Sequence, residues 1–273
     1  MIDLKRNSKK EPVKATGLRT RASSSYSPNQ KDDFKISRGR FSNFLTCKRC
    51  FYLDRVKGLD PPGTPGWTLN ETTDLLLKKE FDYCRERQIP HRLFSEYGLE
   101  HLVPFQHEEM DNWRNSLQKG LMLRYKETNI ILTGGIDDIW QDTLTKELVI
   151  VDYKSQAKRG EVNKEEYLDD LYHDGYKIQM DFYAFLLSGM GFDVSPTAYF
   201  LVCNANRDDD GFNKTMNFSE TLIPYEWNID WIDNKVTEMI DLMNQNEIPE
   251  SNQCCKNCAY SDQYAKAVHA VNL

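Results

Sequence analysis

IILTGGIDDIWQDTLTKELVIVDYK, residues 130–154, sets two apolar runs on either side of the polar linker QDTLTK. Short runs rich in Ile, Leu and Val, broken by such a linker, read as strands. The stretch is therefore expected to form a β-hairpin with unequal arms, the first kinked at Gly134 and Gly135. Side chains alternate faces along a strand, so Asp152 and Lys154 project together while Tyr153 points the other way. With the loop centred near Leu144 and Thr145, Asp137 and Asp152 are equidistant from it and fall opposite one another on neighbouring strands.

Two carboxylates held face to face repel unless a cation neutralises them. Oxygen ligands suit hard cations such as Mg²⁺ or Mn²⁺, which polarise a phosphoryl oxygen and lower the pKa of a water. Lys154 would then orient that water or stabilise developing negative charge. A bare D-x-K triplet is weak evidence, because two unrelated acids on a surface hairpin look the same. Its context adds weight: GGID precedes it, an apolar strand leads into it, and Gln179 and Tyr183 lie four apart on one face of the helix that follows.

Working outward, a helix is expected from about Lys177 to Gly189. An apolar strand TAYFLVC (residues 197–203), a strand around Thr215 to Ile223, and a helix from about Ile229 to Asn246 come next. On the N-terminal side, Ser42 is a candidate cap for a helix carrying Phe44, Leu45, Phe51 and Tyr52 inward, ended by PPGTPG at residues 61–66. Asn70 is a candidate cap for a helix through Arg87 with the apolar stripe Leu77, Phe81 and Cys84. Glu80 borders that stripe, and Asp74 and Asp82 read as more solvated. This order of elements predicts an α/β fold with a mixed central sheet flanked by helices.

The 273 residues are 40% hydrophobic and 12% aromatic, the composition of a folded globular protein. No window supplies the roughly 20 apolar residues of a membrane helix, and the N-terminus lacks a signal-peptide core, so a cytoplasmic location is expected. Residues 1–33 carry many Lys and Arg and few large apolar side chains and read as a disordered basic tail, either a solubilising extension or a nucleic-acid arm. The net charge of -7 excludes little, since nucleic-acid enzymes gather carboxylates at a metal site and basic residues around it. Arg38, Arg40, Lys48 and Arg49, interleaved with Phe41, Phe44 and Phe51, are candidate phosphate contacts, or else the solvated face of an amphipathic helix. His91, His101, His107 and His173 lack ligand spacing.

Cys47 and Cys50 form one CxxC, and Cys255 and Cys258 another about two hundred residues later. Two such pairs supply four thiolates, which zinc and iron–sulfur clusters both use. Cys254 is a possible substitute for Cys255, and Cys84 and Cys203 fall on apolar patterns and read as core. A metal clasp here would join the N- and C-terminal segments; reduced, unligated thiols are the other reading.

The series GxxD (Gly134 to Asp137), DxK (Asp152 to Lys154) and QxxxY (Gln179 to Tyr183) resembles the RecB-type branch of the PD-(D/E)xK nucleases. The resemblance extends over residues 36 to 260, including TCKRCFYLDR, and residues 74–87 look similar to poorly characterised bacterial members. It implies a restriction-endonuclease-like core and a metal-dependent deoxyribonuclease, with a nuclease-like domain over residues 34–260 and a C-terminal tail over 261–273. In that pattern Asp137 and Asp152 hold Mg²⁺ or Mn²⁺, with Glu80 and the carbonyl of Tyr153 as further ligands. Lys154 is the catalytic lysine, and Gln179 and Tyr183 orient it or touch nucleic acid. Asp138 rivals Asp137, but the fourth position of GxxD favours Asp137. CRISPR-associated relatives hold a cluster with one N-terminal and three C-terminal cysteines. This chain departs from them, having Tyr264 where the last would stand. No GxxxxGK[ST] is present, so unwinding would need a separate helicase partner. The alternative is a catalytically inactive nucleic-acid-binding or scaffold module that keeps the fold.

Overall fold

A computed structural model describes residues 4–63 and 66–271. After a single 3-10 turn at Ala22–Ser24, the elements in chain order are β1 (Phe34–Ser37), α1 (Arg38–Thr46), α2 (Lys48–Arg55), α3 (Thr68–Arg87), α4 (Arg92–Glu96) and β2 (Leu102–Pro104). They continue as α5 (Met110–Arg114), β3 (Leu121–Arg124), β4 (Ile130–Gly134), β5 (Asp138–Asp142) and β6 (Leu148–Gln156). The last are α6 (Lys164–Asp169), a 3-10 turn at Leu171–His173, α7 (Asp174–Gly189), β7 (Thr197–Ala205), β8 (Phe218–Glu226), α8 (Ile232–Met243) and α9 (Lys256–Val271). The chain divides into two compact units, one of residues 1–66 with 233–273 and the other of residues 67–232. Among the described residues no helix is long and apolar enough to cross a membrane.

In the second unit five strands form a mixed sheet in the order β2-β5-β6-β7-β8. Strands β6 and β7 run parallel, and the other neighbours are antiparallel. Strands β5 and β6 are the predicted hairpin, in the predicted register: Asp138 faces Val151 and Gln141 faces Leu148, which centres the loop between Leu144 and Thr145. The first arm is not one strand, however. It breaks after Gly134, and β4 pairs with β3 while β5 joins the large sheet. The two glycines explain the break, because the backbone passes too close to its neighbours for a side chain. A Cβ on Gly134 would lie 2.7 Å from Cε1 of Tyr183, and one on Gly135 would lie 2.3 Å from Cβ of Ser116.

Helix α3 packs on β6 and β2, and α7 packs on β3, β4 and β6. Alternation along β6 sorts its side chains between them. Val149, Val151 and Tyr153 join Leu77 and Phe81 of α3, Trp140 of β5 and Leu201 of β7 in one core cluster, and Asp152 and Lys154 take the opposite face. Helix α3 starts at Thr68, two residues before the expected cap Asn70, and β8 starts at Phe218, three residues after Thr215.

In the first unit, α1 is capped by Ser37, whose side chain accepts from Arg40 N. The expected cap Ser42 lies inside the helix, and a second helix opens at Cys47. The reading of residues 1–33 as a disordered tail does not describe the segment after Gly17. Tyr26 is 2% exposed, its hydroxyl donates to Asn244 Oδ1 at 3.0 Å, and Arg19 Nε donates to the buried carboxylate of Asp54 at 2.6 Å. Backbone hydrogen bonds from Arg19 to Gly58, Tyr26 to Arg55 and Asp60 to Gly17 dock the same segment, although its average composition reads as unstructured. Likewise residues 261–271, expected as a tail, continue α9.

Candidate active site

Asp152 sits in the middle of β6 and is fully buried. Its Oδ1 accepts from Gln179 Nε2 of α7 at 2.6 Å. Its Oδ2 is in contact with the Lys154 ammonium, which is its one ion-pair partner among the described residues. Lys154 also places its ammonium 4.4 Å from the centroid of the Tyr176 ring. The Tyr183 hydroxyl accepts from Gln179 Nε2 at 3.0 Å and donates to the carbonyl of Gly135. Gln179 and Tyr183 thus fasten Asp152 to the turn that carries Asp137.

Asp137 lies in that turn, and its Oδ2 accepts from the backbone N–H of Tyr153 at 3.0 Å. Burial and, after it, the neighbouring Asp137 carboxylate raise the Asp152 carboxyl against the pull of the Lys154 ammonium, to about 7 in all. The adjacent acids Asp137 and Asp138 have different surroundings. Asp138 is fully buried and meets Arg85, Arg114 Nη2 at 2.9 Å and the Tyr153 hydroxyl at 2.6 Å. Burial alone would raise its carboxyl, but Arg85, Arg114 and Tyr153 together hold it below the usual carboxylate range. Arg114 Nε also donates to the carbonyl of Asp137 at 3.1 Å, so this ion cluster pins the turn from behind.

The structure brings Asp137, Asp152, Lys154, Gln179 and Tyr183 together and does not bring Glu80 to them. Glu80 Oε2 instead meets His91 Nε2 and Arg92 Nη2, each at 3.2 Å. The acid that α3 presents is Asp74. Lys78 Nζ bridges it to the pair, at 2.8 Å from Asp74 Oδ2 and 3.7 Å from Asp137 Oδ1. Burial raises the Asp74 carboxyl, and Asp137 raises it further. The signal was present in the sequence: extending the stripe Leu77, Phe81, Cys84 back by three residues lands on Asp74, whereas Glu80 is about 100° around the helix from Phe81.

The candidate phosphate contacts lie in the other unit, and three are engaged within the chain. Arg40 Nη1 donates to Asp54 Oδ2 at 2.7 Å, Lys48 Nζ lies 3.3 Å from Glu238 Oε2, and Arg49 Nε donates to the Pro249 carbonyl at 3.0 Å. Arg38 opens α1. In the same unit Cys47, Cys50, Cys255 and Cys258 converge, their sulfurs all within 4.8 Å of one another. Cys254 stays exposed, and Cys84 and Cys203 are buried elsewhere, as their apolar patterns suggested.

A family model described as the PD-(D/E)XK nuclease superfamily matches residues 63–263. Two solved structures resemble the chain at 12% identity. The protein SSO0001 has a TM-score of 0.35, with 81% of each chain covered. A candidate exonuclease from Eubacterium rectale has a TM-score of 0.43, with 83% of this chain and 87% of that one covered. No curated protein matches by sequence.

Proposed function

The chain belongs to the PD-(D/E)XK nuclease superfamily, and from that premise we propose that it is a divalent-metal-dependent nuclease hydrolysing phosphodiester bonds of DNA at Asp137, Asp152 and Lys154. The observation that carries this reading is a pair of neighbouring carboxylates, Asp152 fully buried and Asp137 beside it, with the Lys154 ammonium against Asp152 Oδ2. Oxygen-only donors of this kind fit a hard cation, Mg²⁺ or Mn²⁺, that Asp137 and Asp152 would hold, with Asp74 beside them on the far side of the Lys78 ammonium. When bound there, such a cation supplies charge to a phosphoryl oxygen and acidifies a water.

The chain's own residues do the rest. Lys154, held between Asp152 and the Tyr176 ring, presents its ammonium to the scissile phosphate, where it stabilises charge that grows in the transition state. Gln179 keeps Asp152 Oδ1 occupied, so Oδ2, shared with the Lys154 ammonium, is the oxygen that would face the cation. Tyr183 ties the Asp137 turn to α7 and so preserves the spacing of the two acids.

The test is cleavage of end-labelled single- and double-stranded DNA, with RNA alongside, in Mg²⁺ or Mn²⁺, by wild type, Asp152→Ala and Lys154→Ala. Metal-dependent cutting of DNA that both substitutions abolish supports the proposal. Folded wild-type protein that binds DNA and cuts nothing in either metal would instead establish a non-catalytic binding module.

A further inference from the structure

Outside the proposed active site, the described residues bring four cysteines of the first unit together, and their geometry goes beyond the nuclease reading. Each CxxC occupies the same place on a helix. Cys47 caps α2, its carbonyl accepting from Phe51 N at 3.0 Å, and Cys50 is the third residue of that helix. Cys255 directly precedes α9, its carbonyl accepting from Ala259 N at 3.0 Å, and Cys258 is the third residue there. Each CxxC therefore sets its two sulfurs at the N-terminus of a helix. Asn252 knits the two segments beside them, its Nδ2 donating to the Thr46 carbonyl and its Oδ1 accepting from Cys254 N, each at 2.9 Å.

The sulfur separations discriminate between metal centres. Cys50 lies 3.4 Å from Cys258 and 3.5 Å from Cys255, and Cys47 lies 3.7 Å from Cys258. Four thiolates around one ion with zinc–sulfur bonds of about 2.3 Å stand about 3.8 Å apart along the tetrahedral edge. An iron–sulfur cluster fixes its thiolates to different irons, which spreads them by the width of the cage. All four sulfurs here lie within 4.8 Å of one another, the span of a single ion. We infer that Cys47, Cys50, Cys255 and Cys258 form a tetrathiolate site for one Zn²⁺. The ion clasps the two chain segments of the first unit, which residues 67–232 separate in sequence.

The test is metal and sulfide analysis of full-length protein purified anaerobically from cells supplied with both iron and zinc. One zinc per chain, no acid-labile sulfide and no visible absorption are expected. Cobalt exchanged into the site should give the intense visible bands of tetrahedral thiolate coordination. Cys254→Ser should retain the zinc, whereas Cys50→Ser and Cys258→Ser should lose it. Asp152→Asn should also keep its full zinc, which separates this site from the nuclease site. Iron in any form, or metal-free protein with seven titratable thiols, would overturn the inference even if DNA cleavage were intact. The wild-type metal content decides the matter should the cysteine variants fail to fold.

Discussion

Asp152→Asn should make the metal-free protein more stable at alkaline pH, although it removes a residue placed at the centre of the site. The carboxyl of Asp152 is raised from 3.8 to about 7 by burial and by Asp137, against the pull of Lys154. The folded state therefore holds a proton that the unfolded chain gives up. Stability from this group is fully present below the unfolded value and is lost as pH rises towards 7. At about 1.4 kcal/mol per unit, the ionised carboxylate costs roughly 4 kcal/mol above pH 7. Asparagine mimics the protonated acid: its Oδ1 still accepts from Gln179, and its amide can donate to Asp137. In EDTA at pH 8 the variant should melt on the order of 10 °C above wild type, and the gap should close by pH 4. Magnesium should raise the melting temperature of wild type and leave the variant unchanged. A variant that melts at or below wild type in EDTA at pH 8 would refute the claim that the acids repel in a buried site awaiting a cation.

Gly134→Ala would drive a methyl group to 2.7 Å from the Tyr183 ring, and overpacking of this kind costs about 1–3 kcal/mol. Denaturant unfolding should show that loss, and cleavage should fall with it as the Tyr183 hydroxyl leaves Gly135. Asp138→Asn should cost about 3–5 kcal/mol, because it strands the buried Arg85 and Arg114. Since the Asp138 carboxyl is held low, its contribution is present above the ordinary carboxylate range and is lost as pH falls through the folded value, so the deficit of the variant should shrink in strong acid. Asp74→Asn should raise the Mg²⁺ concentration for half-maximal cleavage several-fold, and Glu80→Gln should leave it unchanged; the reverse order would return Glu80 to the site.

The hairpin was legible because two independent regularities agreed on it: two apolar runs on either side of the polar linker QDTLTK and the symmetric spacing of Asp137 and Asp152 about Leu144 and Thr145. Gln179 and Tyr183 were legible for a similar reason, four residues placing both on the α7 face towards β6. The third acid was legible but misread: the stripe Leu77, Phe81, Cys84 extended back by three residues points to Asp74, which is half-buried, whereas Glu80, read as bordering the stripe, is exposed. The break of the first arm into β4 and β5 depends on the approach of Tyr183 and Ser116 to Gly134 and Gly135, residues distant in sequence. The docking of residues 17–33 was hidden because much of it runs through backbone hydrogen bonds, among them those of Arg19, Tyr26 and Asn29, which composition does not register.

The most direct test of the central claim is a titration of the protein with Mn²⁺, followed by the electron paramagnetic resonance signal of the free ion, for wild type, Asp137→Asn and Asp152→Asn. The account predicts one Mn²⁺ bound per chain of wild type and a large loss of affinity in both variants. Binding of equal tightness in all three proteins would show that the carboxylate pair is not the cation site.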